Sequence, residues 1–222
     1  MEVQMNIDSA GVERLAIDSL VSLSGKRILE VGFGAARETS FLVRLDNTLV
    51  AVDPDPSRLA LAQQALPGVD FRTLDFLSTN WIQEFDLVVF SMALHHIQGL
   101  VQKNLALHKA RQALKPGGQI LVIEPSIVGT VTRIVCALDK SERQGLQEAR
   151  EVLDECKKSW LCNTAEVAWW EFESVQEVIS FFVDLARRGD PLVTEAQVSG
   201  VLDQLNLTGC LRLADFIDFY LL

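Results

Sequence analysis

Residues 27–36 read RILEVGFGAA: a short apolar run, Ile28-Leu29-Glu30-Val31, that ends in a turn with glycine at positions 32 and 34. A run of this length, closed by Gly32-Phe33-Gly34, reads as a buried strand entering a tight turn. Four more runs of the same kind follow: Thr48–Asp53 (TLVAVD), Val69–Leu74, Phe85–Phe90 (FDLVVF) and Gln119–Glu124 (QILVIE). Between them the apolar spacing turns helical. Phe41, Leu42 and Leu45 point inward over residues 36–45, and Leu59, Ala62 and Leu66 share a face over 57–66. A helix over Leu100–Leu114 stops at Lys115-Pro116-Gly117-Gly118. Strands that are apolar throughout belong in a sheet covered on both faces. Their alternation with helices predicts a doubly wound, mostly parallel α/β sheet.

Outside this frame, Val12, Ala16, Leu20 and Leu23 form a stripe that predicts a helix over residues 8–23, with Asp8 or Ser9 as its cap. Residues 126–200 read as helical by period. Leu146, Ala149, Leu153 and Cys156 make one stripe, and Val175, Val178, Ile179 and Phe182 a second. Thr194-Glu195-Ala196-Gln197 is a capping box opening a third helix. Such a segment is longer than a crossover needs and reads as a helical cap over the active edge. Trp169 and Trp170 fall in it, about 100° apart on a helix, so they face different surroundings. The tail, Thr208–Leu222, reads as a closing hairpin. The expected organisation is a single domain over 1–222, with its core in about 24–125 and 206–222 and the cap in about 126–205.

Composition narrows the function. The chain has 222 residues, enough for a buried core, and a formal charge of 20 − 30 = −10. An acidic chain repels phosphate backbones and anionic lipid, so neither a nucleic acid nor a membrane is expected as a partner. Over residues 126–200, 13 acidic against 8 basic side chains disfavour a polyanionic substrate as well. No apolar run reaches the roughly 18 residues of a membrane span. MEVQMNIDSAGVERL, at the start, lacks the apolar core of a signal peptide. Cys136, Cys156, Cys162 and Cys210 are scattered without metal-ligand spacing, which predicts free thiols, a cytoplasmic setting and no metal site.

In an open α/β sheet the crevice lies at the carboxyl ends of the strands. Four features fall there. Gly32 and Gly34 let the backbone approach a ligand, and the small Ala36 lets the next helix begin nearby. Asp53 ends the second run, where a carboxylate can accept from ribose hydroxyls. Asp75-Phe76 follows the third run and offers an acceptor and an aromatic edge. Ser91-Met92-Ala93-Leu94-His95-His96 follows the fourth. A dinucleotide fingerprint is a poorer match, because its third small residue would fall on Arg37.

The ordered set of EVGFGAA, Asp53, Asp75, LHH and LKPGG resembles the class I S-adenosylmethionine-dependent methyltransferases, in particular their small-molecule branch. The resemblance covers about residues 27–125, with Ala36 in place of that family's third glycine. It implies a Rossmann-like, seven-stranded sheet, S-adenosylmethionine as cofactor, S-adenosylhomocysteine as product, and a small-molecule acceptor bound by a monomer or homodimer. It implies that Glu30, Gly32 and Gly34 line the methionine moiety and that Asp53 holds the ribose. Pro54 then packs near the adenine, Asp75 takes its amino group beside the Phe76 backbone, and Ser91 meets the methionine end. The candidates for chemistry are His96 as a base, His95 as a substrate contact and Glu124 as an acceptor-binding carboxylate. Each has a plain alternative, in packing for the histidines and in an ion pair for Glu124. Two further readings stay open: an enzyme that uses the sulfonium as a fixed cation for rearrangement or cyclisation, and a non-catalytic subunit of the same fold.

Overall fold

A computed structural model describes residues 6–187 and 191–222. The five apolar runs are parallel neighbours: β2 (Arg27–Val31), β3 (Thr48–Asp53), β4 (Asp70–Thr73), β5 (Phe85–Ser91) and β6 (Leu114–Pro125). A two-residue edge strand β1 (Asn6–Ile7), with β7 (Cys162–Glu171) and β8 (Arg212–Leu221), completes one sheet in the order β1-β7-β8-β6-β5-β2-β3-β4. β8 runs antiparallel to both β6 and β7, and β1 antiparallel to β7. Among the described residues the sheet therefore has seven main strands, the number the resemblance implies, and β1 adds an eighth at the margin.

Side-chain alternation sorts the central strands onto two covered faces. Leu29, Val88, Phe90 and Val122 pack on one side with Leu107 of α4 (Leu100–Ala113) and Ala149, Val152 and Leu153 of α6 (Lys140–Glu155). Ile28, Val89, Leu121 and Ile123 pack on the other with Ala16 and Ile17 of α1 (Val12–Leu20). Asp8 caps α1, its two carboxylate oxygens accepting from the Val12 and Glu13 amides at 2.9 and 3.0 Å. α2 (Arg37–Leu42) and α3 (Leu59–Ala65) complete the crossovers. The carboxyl ends of β2, β3 and β5 lie along one edge.

The helical cap expected over 126–205 divides in two. α5 (Thr130–Leu138), α7 (Val175–Ala186) and α8 (Glu195–Gln204) gather Ile134, Phe182, Val198 and Leu202 into a separate apolar cluster, and the Thr194–Gln197 capping box opens α8 as expected. α6 instead packs on the sheet, and residues 162–171 are a strand rather than a helix. The helical reading fails there because CNTAEVAWWE carries no continuous apolar run. Its pairing with β8 over ten residues supplies the strand's stability. The tail is likewise no local hairpin, since two helices separate β7 from β8. The residues 1–5 read for a leader lie outside those described. Among the described residues, no helix is long and apolar enough to cross a membrane.

A strand puts Trp169 and Trp170 on opposite faces, not 100° apart. The Arg212 guanidinium lies 4.1 Å from the Trp169 ring, whereas Trp170 meets Phe181 edge-on at 5.2 Å within the α5–α7–α8 cluster. Trp170→Ala is expected to cost about 2–4 kcal/mol of unfolding free energy. Trp169→Ala forfeits mainly an exposed cation–π contact, about 0.5–1 kcal/mol. Urea unfolding of the two variants measures the difference, and equal costs would contradict the assignment of faces.

Candidate functional site

The glycine turn takes its shape from close approach. Gly32 has φ +84°, and a Cβ built on it would overlap the Ala93 methyl, so this turn and the one after β5 touch here. Gly34 has φ +47°, and a Cβ there would meet nothing within 4 Å, so its backbone faces open space. Ala36, standing where the resemblance implies a third glycine, is also left-handed at φ 64°. That backbone costs a residue with a Cβ about 1–2 kcal/mol. Its methyl is buried among Phe33, Ala51, Ala62 and Phe71, which offsets part of the cost.

Asp53 and the glycine turn are tied together. Asp53 Oδ2 accepts from the Gly34 amide and Oδ1 from the Asp55 amide, both at 2.9 Å. Each carboxylate oxygen retains acceptor capacity for a ligand hydroxyl. Pro54 and Asp75 are exposed at the same edge. Asp75 Oδ1 accepts from the Leu77 amide at 3.0 Å. The Phe76 ring does not reach the crevice: it is buried against Phe90 and Trp81, so only its backbone is left for a ligand.

Glu30 lies beneath the turn, fully buried, with Ser91 and Thr39 beside it. Neither carboxyl oxygen has a hydrogen-bond partner, nor do the Ser91 and Thr39 hydroxyls. Burial pushes Glu30 up to about 8, against the pull of those hydroxyls, so at neutral pH it is a protonated acid under the crevice floor. Arg37, at the start of α2, is engaged through Nε and Nη2, while its Nη1 is buried without a hydrogen-bond partner. It pairs with both oxygens of buried Glu13 at 2.8 and 2.7 Å and with Glu38 at 2.7 Å. Burial lifts Glu13 to about 7 despite this arginine.

The histidines have unlike environments. Leu94–His96 forms a single 3-10 turn, with His95 buried and His96 exposed. Glu124 is buried, with both oxygens bonded: Oε1 accepts from the Leu94 amide at 2.9 Å, and Oε2 lies 2.6 Å from His95 Nδ1. The other His95 nitrogen, Nε2, lies 3.2 Å from Glu142 Oε1 on α6. Burial alone would discharge this ring, but the two carboxylates outweigh it and push His95 up to about 10. His95 is thus an imidazolium that donates at both nitrogens. It has no lone pair for a proton in catalysis, nor for a metal ion, although one ligand atom from each of His95, His96 and Glu142 falls within 4.8 Å of the others. His95 and Glu124 thus stand in the arrangement of their plain alternatives, a packed histidine and an ion pair. The two residues hold the turn. His96 is different. Two-thirds of its side chain is exposed and its Nδ1 lies 3.9 Å from Glu142 Oε2. Desolvation at the crevice mouth, followed by the positive His95 ring, holds it below the ordinary imidazole range, leaving it neutral with a free lone pair at pH 7. Glu142 escaped sequence reading because nothing local ties a helix glutamate to the LHH turn.

Residues 29–122 match the methyltransferase domain family. Beyond it, the ubiquinone biosynthesis O-methyltransferase of Pseudomonas entomophila is 30% identical over 110 residues, covering 47% of this chain and 46% of that protein. The chain spans about half the length of the curated relatives it matches. Among solved structures, a Bacillus halodurans protein described as a candidate methyltransferase has a TM-score of 0.68 at 14% identity, over 94% of this chain and 97% of that one. The N-methyltransferase NodS of Bradyrhizobium japonicum, in complex with S-adenosylhomocysteine, has a TM-score of 0.52 at 15% identity, over 95% and 83%. These structures give the class I methyltransferase fold.

His95 carries a stability consequence. Its folded value, about 10, is above the ordinary 6.5, so the stabilisation is fully present below pH 6.5 and is lost as pH rises through 10. The urea midpoint is expected to fall between pH 7 and 10, and His95→Gln to lower it at pH 7 while flattening that dependence. An unchanged pH slope in the variant would assign the loss to other groups.

Proposed function

We propose that this chain binds S-adenosylmethionine in the crevice above Gly32 and Gly34 and transfers its methyl group to a small-molecule acceptor, leaving S-adenosylhomocysteine. The observation that carries the reading is the meeting, at one sheet edge, of an open-faced glycine turn, a strand-end carboxylate bound to it, and an acid buried beneath with no partner. A cationic ligand suits that set. Gly34 bares its backbone, Asp53 keeps lone pairs for ribose hydroxyls, and Asp75 presents a carboxylate with the Phe76 backbone beside it. Pro54 offers an apolar surface for the adenine. The acidic Glu30 and the Ser91 segment face the methionine end.

The sulfonium supplies an already activated methyl group, so the protein's task is to orient the acceptor and exclude water. Where the acceptor must lose a proton, His96 is the base we assign, because it alone in the LHH turn combines exposure with a free lone pair. Glu124 and His95 act behind it. The relatives' names include both an O- and an N-methyltransferase, and the proposal extends to neither acceptor atom. Detection of an acceptor product heavier by one methyl separates methyl transfer from rearrangement. Calorimetry with S-adenosylmethionine separates either from a non-catalytic subunit.

Asp53→Ala is expected to weaken S-adenosylmethionine binding by about 1.5–3 kcal/mol, since charge-assisted hydrogen bonds to the ligand and to the turn are both lost. Unchanged calorimetric affinity would remove the ribose assignment. For an acceptor that loses a proton, His96→Ala should lower kcat about 10²–10⁴-fold and abolish the loss of activity on the acid side of the pH profile, with cofactor affinity intact. Activity within threefold of the parent would leave proximity as the whole of the catalysis.

A further inference from the structure

Helix α6 holds the histidine turn at three points along one side. Glu142 Oε1 lies 3.2 Å from His95 Nε2, and its Oε2 stands 3.9 Å from His96 Nδ1. One turn on, Gly145 has no side chain, and a Cβ built there would overlap the His95 carbonyl oxygen, so the helix backbone rests directly on the turn. A further turn on, Glu148 Oε2 accepts from the Gly99 amide at 3.2 Å and from the buried Lys103 ammonium at 3.1 Å. Spacings of three residues place these groups on adjoining positions of one helix surface. The apolar side of the same helix anchors it to the sheet through Ala149, Val152 and Leu153. Residues 95–103, which carry the crevice histidine, are therefore gripped by an element that lies outside the matched methyltransferase segment.

We propose that Glu142 is a positioning residue: by closing the Glu124–His95–Glu142 chain it fixes the orientation of His96 toward the crevice, so that the seating of α6 is a condition of a competent site. The inference rests on the reading of His96 as the crevice base. The geometry separates two duties. Glu124 holds the turn from the sheet, through the Leu94 amide and His95 Nδ1. Glu142 holds it from the helix, and it is the only one of the two that also approaches His96 among the pairs described. The groups facing His96 are the positive His95 ring, which lowers its basicity, and Glu142, Glu124 and Asp53, which raise it. Of these carboxylates Glu142, at 3.9 Å, acts most strongly. Removing its charge therefore makes His96 a weaker base, and removing its side chain frees the ring as well.

The test uses the full chain with carbon-13-labelled histidine, following the Cε1–Hε1 resonances from pH 5 to 10 with and without S-adenosylmethionine. His95→Gln and His96→Gln provide the assignments. In Glu142→Gln the His96 midpoint is expected to move down by about half a pH unit or more, and that of His95 down by about one. In Glu142→Ala the shift that S-adenosylmethionine induces at His96 is expected to fall by at least about half, with calorimetric Kd within about threefold of the parent. Gly145→Ala, which leaves every charge in place but pushes the helix off the turn, should reproduce the loss of the His96 response without the charge effect on its midpoint. Unmoved His96 midpoints and cofactor response in both Glu142 variants would overturn the proposal and leave Glu142 a structural ion pair. If the parent chain itself fails to bind S-adenosylmethionine, the proposed function fails by calorimetry. The histidine midpoints in the absence of cofactor then decide the role of Glu142 on their own.

Discussion

The contact between Gly32 and Ala93 sets the rest of the site. It brings the turn after β2 against the turn after β5 without a side chain between them, and only a glycine allows it, on grounds of both space and backbone angle. Two consequences follow from that closeness. The Gly34 amide comes within reach of the Asp53 carboxylate, which locks the glycine turn to β3. The LHH turn is held over the end of β6, where Glu124 can take both the Leu94 amide and the His95 ring. The glycine turn and the LHH turn are thus placed on neighbouring strand ends by one point of close approach.

The charges around that point are arranged unequally. Glu13 and Glu30 are carboxyls raised by burial, to about 7 and about 8, while His95 is raised to about 10 by carboxylates. Burial without a matching cation leaves Glu30 protonated, burial outweighs the Arg37 pairing at Glu13, and burial between two anions leaves an imidazole charged. The difference explains why two adjacent histidines divide the work. The one sealed under α6 becomes a fixed positive strut, and the exposed one is kept neutral beside it. A positive ligand in the crevice would act on Glu30 in the direction opposite to burial. The unpartnered oxygens there are therefore no obstacle to a cationic cofactor.

Much of the parallel half was legible because each of its strands is written as a continuous apolar run, and because glycine and aspartate mark the strand ends. β7 was not. Its residues 162–171 are mixed in polarity, and their strand character comes from β8, a partner some forty positions later in the chain. Periodicity found α6 correctly but could not say which surface it covered. Its stripe fits a cap as well as it fits the sheet face on which Ala149 and Leu153 are buried. The positions of Glu124 and His95 at strand ends were readable, but their duties were not. A carboxylate at a crevice looks available until the amide and the ring that occupy its two oxygens are seen.

The matched methyltransferase segment ends at residue 122, and α5, α6, β7, α7, α8 and β8 follow it in the chain. Of these, β7, β8, α5, α7 and α8 make a layer of their own. Those elements form their own apolar cluster around Phe182, Val198 and Leu202 and meet the sheet through the long antiparallel pair. A layer with its own core can change its side chains without disturbing Gly32, Asp53 or Glu30, because substitutions that share no partners act nearly independently. α6 is the exception. It lies on the sheet and meets the histidine turn with Glu142 and Gly145, so a change in how that helix seats is transmitted to that turn.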